Sequence, residues 1–72
     1  MIDRRTLQEL LNREPFESFR IYMSDGHAYE ATDPNMMVAM DTKLFIALPG
    51  DRWKMLSYAQ ITRIEDIGVS AG

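Results

Sequence analysis

The trio Arg52-Trp53-Lys54 places the single tryptophan of this chain between two cations. An aromatic face can stack a nucleobase while the cations beside it meet phosphates, so these three residues carry the chemistry of a nucleic-acid contact. Arg4, Arg5 and Arg13 are further cations, which a ring-shaped assembly could concentrate on one face. Against this stands a net charge of −3, from 8 Lys+Arg and 11 Asp+Glu, which opposes long tracking along a phosphate backbone. The competing reading of the trio is an inward-packed Trp53 with solvated neighbours.

His27 is the only histidine, and it stands two residues from Asp25, so a carboxylate-oriented imidazole base can be sketched here. No cysteine is present and no serine sits in a nucleophile motif, while residues flanking a tight turn are ordinarily exposed. The expectation is therefore no catalytic residue and no enzyme. The four glycines, Gly26, Gly50, Gly68 and Gly72, stand apart and make no phosphate-cradling loop. One histidine with scattered Asp25, Asp33 and Asp41 matches neither zinc spacing nor a calcium loop, so no metal and no cofactor are expected.

Apolar residues point to a different kind of site. Six of the 72 residues are methionine, and Met36, Met37 and Met40 cluster around Val38 in a run that is apolar on both faces. Methionine adapts to varied partner surfaces, although core filling is its commoner use. Phe16, Phe19 and Ile21 form a second apolar group. These seven residues are the candidate interface, toward further copies of the chain or another protein. At this length a single core contributes only about 3–5 kcal/mol, and with no cysteine to staple the chain a subunit interface is expected to supply the shortfall.

The elements that position these groups follow from periodicity. Leu7, Leu10 and Leu11 recur at helical spacing, with Asp3 or Thr6 as the cap and Pro15 ending the helix near Arg13. From Phe16 the period becomes two, and Asp25-Gly26 is the signature of a tight hairpin leading to a strand over 27–32. Asp33-Pro34-Asn35 breaks that strand; Met36–Met40, Leu44–Leu48 and Trp53–Leu56 follow as further strand candidates. Over Ser57–Ile67 two readings stand: Ser57–Gln60 has capping-box spacing and Tyr58, Ile61 and Ile64 recur at three, as in a helix, while β-branched Ile61-Thr62-Arg63-Ile64 suits a strand after one helical turn, with Glu65-Asp66 as a solvated edge. The fold class expected is mainly β with one N-terminal helix: a five-stranded antiparallel small barrel over 1–67 and a flexible tail over 68–72. No window approaches the roughly 18 apolar residues of a membrane span, and Met1-Ile2-Asp3-Arg4-Arg5 leads into no signal-type apolar region, so no membrane and a cytoplasmic location are expected.

This order of elements resembles the Sm-like (SH3-like barrel) fold, on Phe19–Gly26, Met36–Met40, Leu44–Leu48 and Ile61-Thr62-Arg63-Ile64-Glu65. Glu14-Pro15-Phe16-Glu17-Ser18-Phe19-Arg20-Ile21, with Ser24-Asp25-Gly26-His27-Ala28-Tyr29, is similar to a family of small uncharacterised bacterial proteins that combine Pro-Phe-x-x-Phe with a later Asp-Gly hairpin. The resemblance implies self-association through strand edges and, in many Sm-like proteins, RNA binding. The bacterial riboregulator branch carries Tyr-Lys-x-His at its pore; Leu56-Ser57-Tyr58-Ala59-Gln60 has neither the lysine nor the histidine. The function expected is a non-enzymatic, self-associating Sm-like assembly or protein-interaction module, with an RNA-binding ring as the alternative.

Overall fold

The structure is a computed structural model that describes residues 2–68. Helix α1 (Arg4–Leu11) starts at Asp3, whose Oδ1 accepts the Thr6 backbone N–H at 3.0 Å, satisfying one of the amides that the first helical turn leaves unpaired, and the Thr6 hydroxyl at 3.1 Å. Those bonds, the backbone one foremost, hold the Asp3 carboxyl below the usual aspartate value. A depressed carboxyl stabilises the fold above its unfolded pKa, about 4, and loses that contribution as pH falls through the folded value. Asp3→Ala is expected to lower the melting temperature at neutral pH and to flatten its decline below about pH 4. Thermal melts across the acid range check this, and an unchanged acid limb would show the cap to be idle.

The helix stops at Leu11, two residues before the expected end, because Asn12 leaves helical geometry as its N–H makes the last bond, to Gln8 O at 3.0 Å. A cis Glu14-Pro15 peptide follows. Among the described residues six strands then run antiparallel: β1 (Ser18–Met23), β2 (Ala28–Ala31), β3 (Met37–Ala39), β4 (Lys43–Leu48), β5 (Arg52–Ser57) and β6 (Ile61–Gly68). They form two three-stranded sheets, ordered β2-β1-β6 and β3-β4-β5. The β1–β2 hairpin turns through Ser24-Asp25-Gly26, one residue longer than a two-residue primed turn. Gly26 N–H closes onto Met23 O at 3.1 Å, with φ at +92°, a conformation a side chain would resist.

One core lies between the sheets. Phe19, Ile21 and Ala31 enter it from the first sheet and Met37, Ala39, Leu44, Ile46 and Leu56 from the second, at every other strand position as the pleat requires. Helix α1 packs on β3 and β4 and drives Leu7 fully into this core. Beyond the helix, the Arg13 guanidinium donates to Glu17 O at 2.9 Å and to Asp66 at 3.1 Å, tying the connection before β1 to the end of β6.

The closed five-stranded barrel expected of an Sm-like or SH3-like fold is not formed: six strands stand in two separate sheets. Two local features divide the ladder. After β2, Asp33 Oδ1 accepts Asn35 N–H at 2.9 Å and Asp33 O accepts Met36 N–H at 3.0 Å, while Pro34 offers no donor; the resulting 3₁₀ turn (Pro34–Met36) separates β2 from β3. It also takes Met36 out of the expected Met36–Met40 strand, and Met40, whose N–H donates to Lys43 O at 2.8 Å, falls in the following turn, leaving the three residues of β3. After β5, the 3₁₀ turn Tyr58–Gln60 carries the chain from the second sheet to the first. The flexible tail expected over 68–72 falls, apart from Gly68 at the end of β6, outside the described residues.

The second turn is held from both sides. Tyr58 N–H donates to Thr42 O at 3.0 Å and its hydroxyl to Met40 O at 2.6 Å, while Ser24 N–H donates to Gln60 O at 2.7 Å. Burial pushes the Tyr58 hydroxyl above its usual pKa. A raised tyrosine contributes stability that is intact below its unfolded value, about 10, and is lost as pH rises through the folded value. Tyr58→Phe removes the bond to Met40 and is expected to cost about 1 kcal/mol at neutral pH while flattening the alkaline decline of stability. Urea titrations at neutral and alkaline pH check both effects; a variant with the parental alkaline slope would remove Tyr58 as the titrating group.

Among the described residues no helix is long and apolar enough to cross a membrane.

Candidate interaction surface

The two sheets show opposite characters on the faces turned away from the core. On the first, Arg20 pairs with Glu30 at 2.6 Å, the Tyr22 hydroxyl donates to Glu65 at 3.0 Å, and Arg63 lies 4.0 Å above the Tyr22 ring. The strand register explains the network, since Arg20 stands between Glu30 and Glu65, and Tyr22 opposite Arg63. On the second sheet the register aligns Val38, Phe45 and Met55 in one row across β3, β4 and β5, with Ala47 opposite Trp53 beside it. Phe45 and Trp53 stack with centroids 5.9 Å apart. Val38 is 56% exposed and Trp53 62%, while Phe45 and Met55 are half-buried, so this face opens apolar surface to water chiefly at Val38 and Trp53.

The seven candidate interface residues divide accordingly. Met36, Val38 and Met40 are exposed. Phe19, Ile21 and Met37 face inward and belong to the chain's own core, because strand alternation gives them to the buried face. Phe16 is half-buried, its ring 6.0 Å from that of Phe19. Phe45 and Met55 were not singled out by the sequence reading. The signal was the apolar character of β4 on both parities, Phe45 and Ala47 alternating with Leu44, Ile46 and Leu48.

The cationic candidates are dispersed. Arg4 pairs with Asp41 at 3.0 Å, Arg5 lies 3.7 Å from Glu9, and Arg13 is shared between Glu17 at 3.2 Å and Asp66 at 3.1 Å. Arg52 donates from Nε to Pro49 O at 3.0 Å. Strand alternation also splits the trio. Lys54 is in register with core-facing Ile46 and Arg52 with Leu48, whereas Trp53 stands opposite Ala47 on the outer face. The structure does not place the two cations and the indole on one surface.

His27 Nδ1 lies 3.1 Å from Asp25 Oδ2, and Asp25 Oδ1 accepts the His27 backbone N–H at 2.9 Å. Hydrogen bonds from the His27 backbone, then from its side chain, hold the Asp25 carboxyl below its usual value. Both side chains are largely exposed, and the arrangement closes the hairpin turn as an Asx turn does. Among the described residues, no three His, Cys, Asp or Glu side chains converge into a metal-holding group.

Searches for a matching family model, a similar curated protein and a similar solved structure each found none for this chain, so the outer face of β3-β4-β5 is read from its own geometry.

Proposed function

We propose that this chain is a non-enzymatic interaction module that self-associates through the outer face of β3-β4-β5. The observation that carries the reading is the contrast between the two outer faces: one is cross-linked by ion pairs and hydrogen bonds, and the other aligns exposed Val38 and Trp53 with half-buried Phe45 and Met55. Burying apolar area contributes about 25 cal/mol per Å², and a 72-residue chain has little stability to spare, so covering this face with a second copy favours both association and the folded state. Side chains of Trp and Met are the types enriched at the centres of protein interfaces.

Light scattering on a sizing column across a dilution series tests the reading. The expected result is a mass above one chain that falls on dilution, together with a melting temperature that falls with it. A single-chain mass at every concentration would overturn self-association. Titration with a short labelled RNA at two salt concentrations addresses the alternative: binding that weakens steeply with salt would replace this reading with nucleic-acid recognition by the exposed cations.

A further inference from the structure

We propose that the free edge of β2, with the cleft beside it, binds an extended peptide strand from a protein partner, one that is apolar at alternate positions and basic at its flanks. The described sheets end in four strand edges, β2, β6, β3 and β5. Natural edges are commonly guarded by shortness or by charge. Strand β3 has three residues, β5 carries Arg52 and Lys54, and β6 carries Arg63, Glu65 and Asp66. Strand β2 reads Ala28-Tyr29-Glu30-Ala31, and its one charged side chain is drawn to Arg20 on β1 at 2.6 Å. What sets this edge apart from the other three is the cleft that opens along it, lined by every residue of β2.

The hydrogen-bond phase determines which groups β2 offers. Met23 N–H donates to His27 O at 2.8 Å, and in an antiparallel ladder the bonded pairs recur every second residue. Tyr29 and Ala31 therefore turn their backbone groups toward β1, and Ala28 and Glu30 turn theirs outward. A cleft of about 510 Å³ runs along this edge. Its lining takes in every residue from 28 to 33 on one wall and from Ile46 to Pro49 on the other. Consecutive residues of both parities line a cleft only where it follows the backbone edge and not one face of the sheet.

The cleft exists because the 3₁₀ turn at Pro34–Met36 parts β2 from β3 and leaves the far end of β4 without a strand partner on that side. Ala31, Met36, Ile46 and Leu48 give it apolar walls, suited to every second side chain of an added strand. Its volume lies within the range of ligand sites. Of the two carboxylates on its lining, Glu30 is held by Arg20 and Asp33 forms no ion pair among the described residues, so Asp33 supplies the negative charge that favours a basic flank. Main-chain pairing would supply the affinity and the walls the preference; the cleft adjoins the outer face of β3-β4-β5 at Ala47, while Val38, Phe45, Met55 and Trp53 lie outside its lining.

The test uses the fluorescein-labelled peptide Lys-Val-Thr-Val-Thr-Val-Lys, followed by anisotropy. Two further peptides carry N-methyl groups on alternate residues, one blocking each edge of the strand. Saturable binding is expected, weakened at least about tenfold by one methylation pattern and little changed by the other, because one peptide edge alone faces β2. Replacing both flanking lysines with glutamate is expected to weaken binding similarly. Ala28→Pro deletes an outward N–H outside the β1–β2 ladder, and is expected to lose binding at an unchanged circular dichroism spectrum. Trp53→Lys should leave the affinity unchanged, so failure of self-association and failure of this site are told apart. Equal effects of the two methylation patterns, or no saturation up to about 1 mM, would overturn the proposal.

Discussion

Phe19→Ala is expected to leave the chain largely unfolded at room temperature. Phe19 is fully buried at the middle of the first sheet, in register with Ala31 on β2 and Asp66 on β6, and its ring meets that of Phe16. Truncating a buried phenylalanine typically costs about 3–5 kcal/mol, through lost transfer free energy and the cavity left behind. A core of this size contributes only about that much in total. Circular dichroism and urea titration at low concentration should show loss of the cooperative transition. Phe19→Leu keeps most of the volume and should retain a transition at reduced urea midpoint. A Phe19→Ala chain with the parental midpoint would show that the core does not centre on this ring.

The second large effect concerns association. Lysine at Trp53 or Val38 puts a charge where the outer face of β3-β4-β5 would meet its partner, and removes apolar area from the row that the register aligns. Central interface residues commonly contribute about 2–4 kcal/mol, so each change is expected to weaken association by roughly 30- to 1,000-fold and together they should give a single-chain mass. Both side chains are more than half exposed in one chain, so the circular dichroism spectrum should survive. Arg20→Ala, on the outer face of the other sheet, is the contrasting variant and should leave the mass unchanged. Association that survives Val38→Lys/Trp53→Lys would place the contact elsewhere, with the strand edges the next surfaces to alter.

Local chemistry was legible along the chain. The Asp3 cap, the apolar face carrying Leu7, the positive-φ Gly26 and the break at Asp33-Pro34 are set by neighbours within four residues. The alternation of Phe19, Ile21, Leu44 and Ile46 likewise states which parity goes inward. What lay outside that reach depends on register and on sheet closure. Whether β2 continues into β3 is settled by hydrogen bonds at Asp33 that direct the chain away from the first sheet, and whether β5 and β6 join is settled by a turn anchored to Thr42, Met40 and Ser24. Phe45 and Met55 become one surface with Val38 only when the register of the three consecutive strands β3, β4 and β5 sets them side by side. Alternation along β5 by itself divides Arg52 and Lys54 from Trp53, while the pairing with β4 decides that Trp53 takes the outer face. Periodicity along a strand assigns a side chain to one of two faces; which faces are covered, and by what, is decided by long-range pairing whose energy no short stretch of sequence contains.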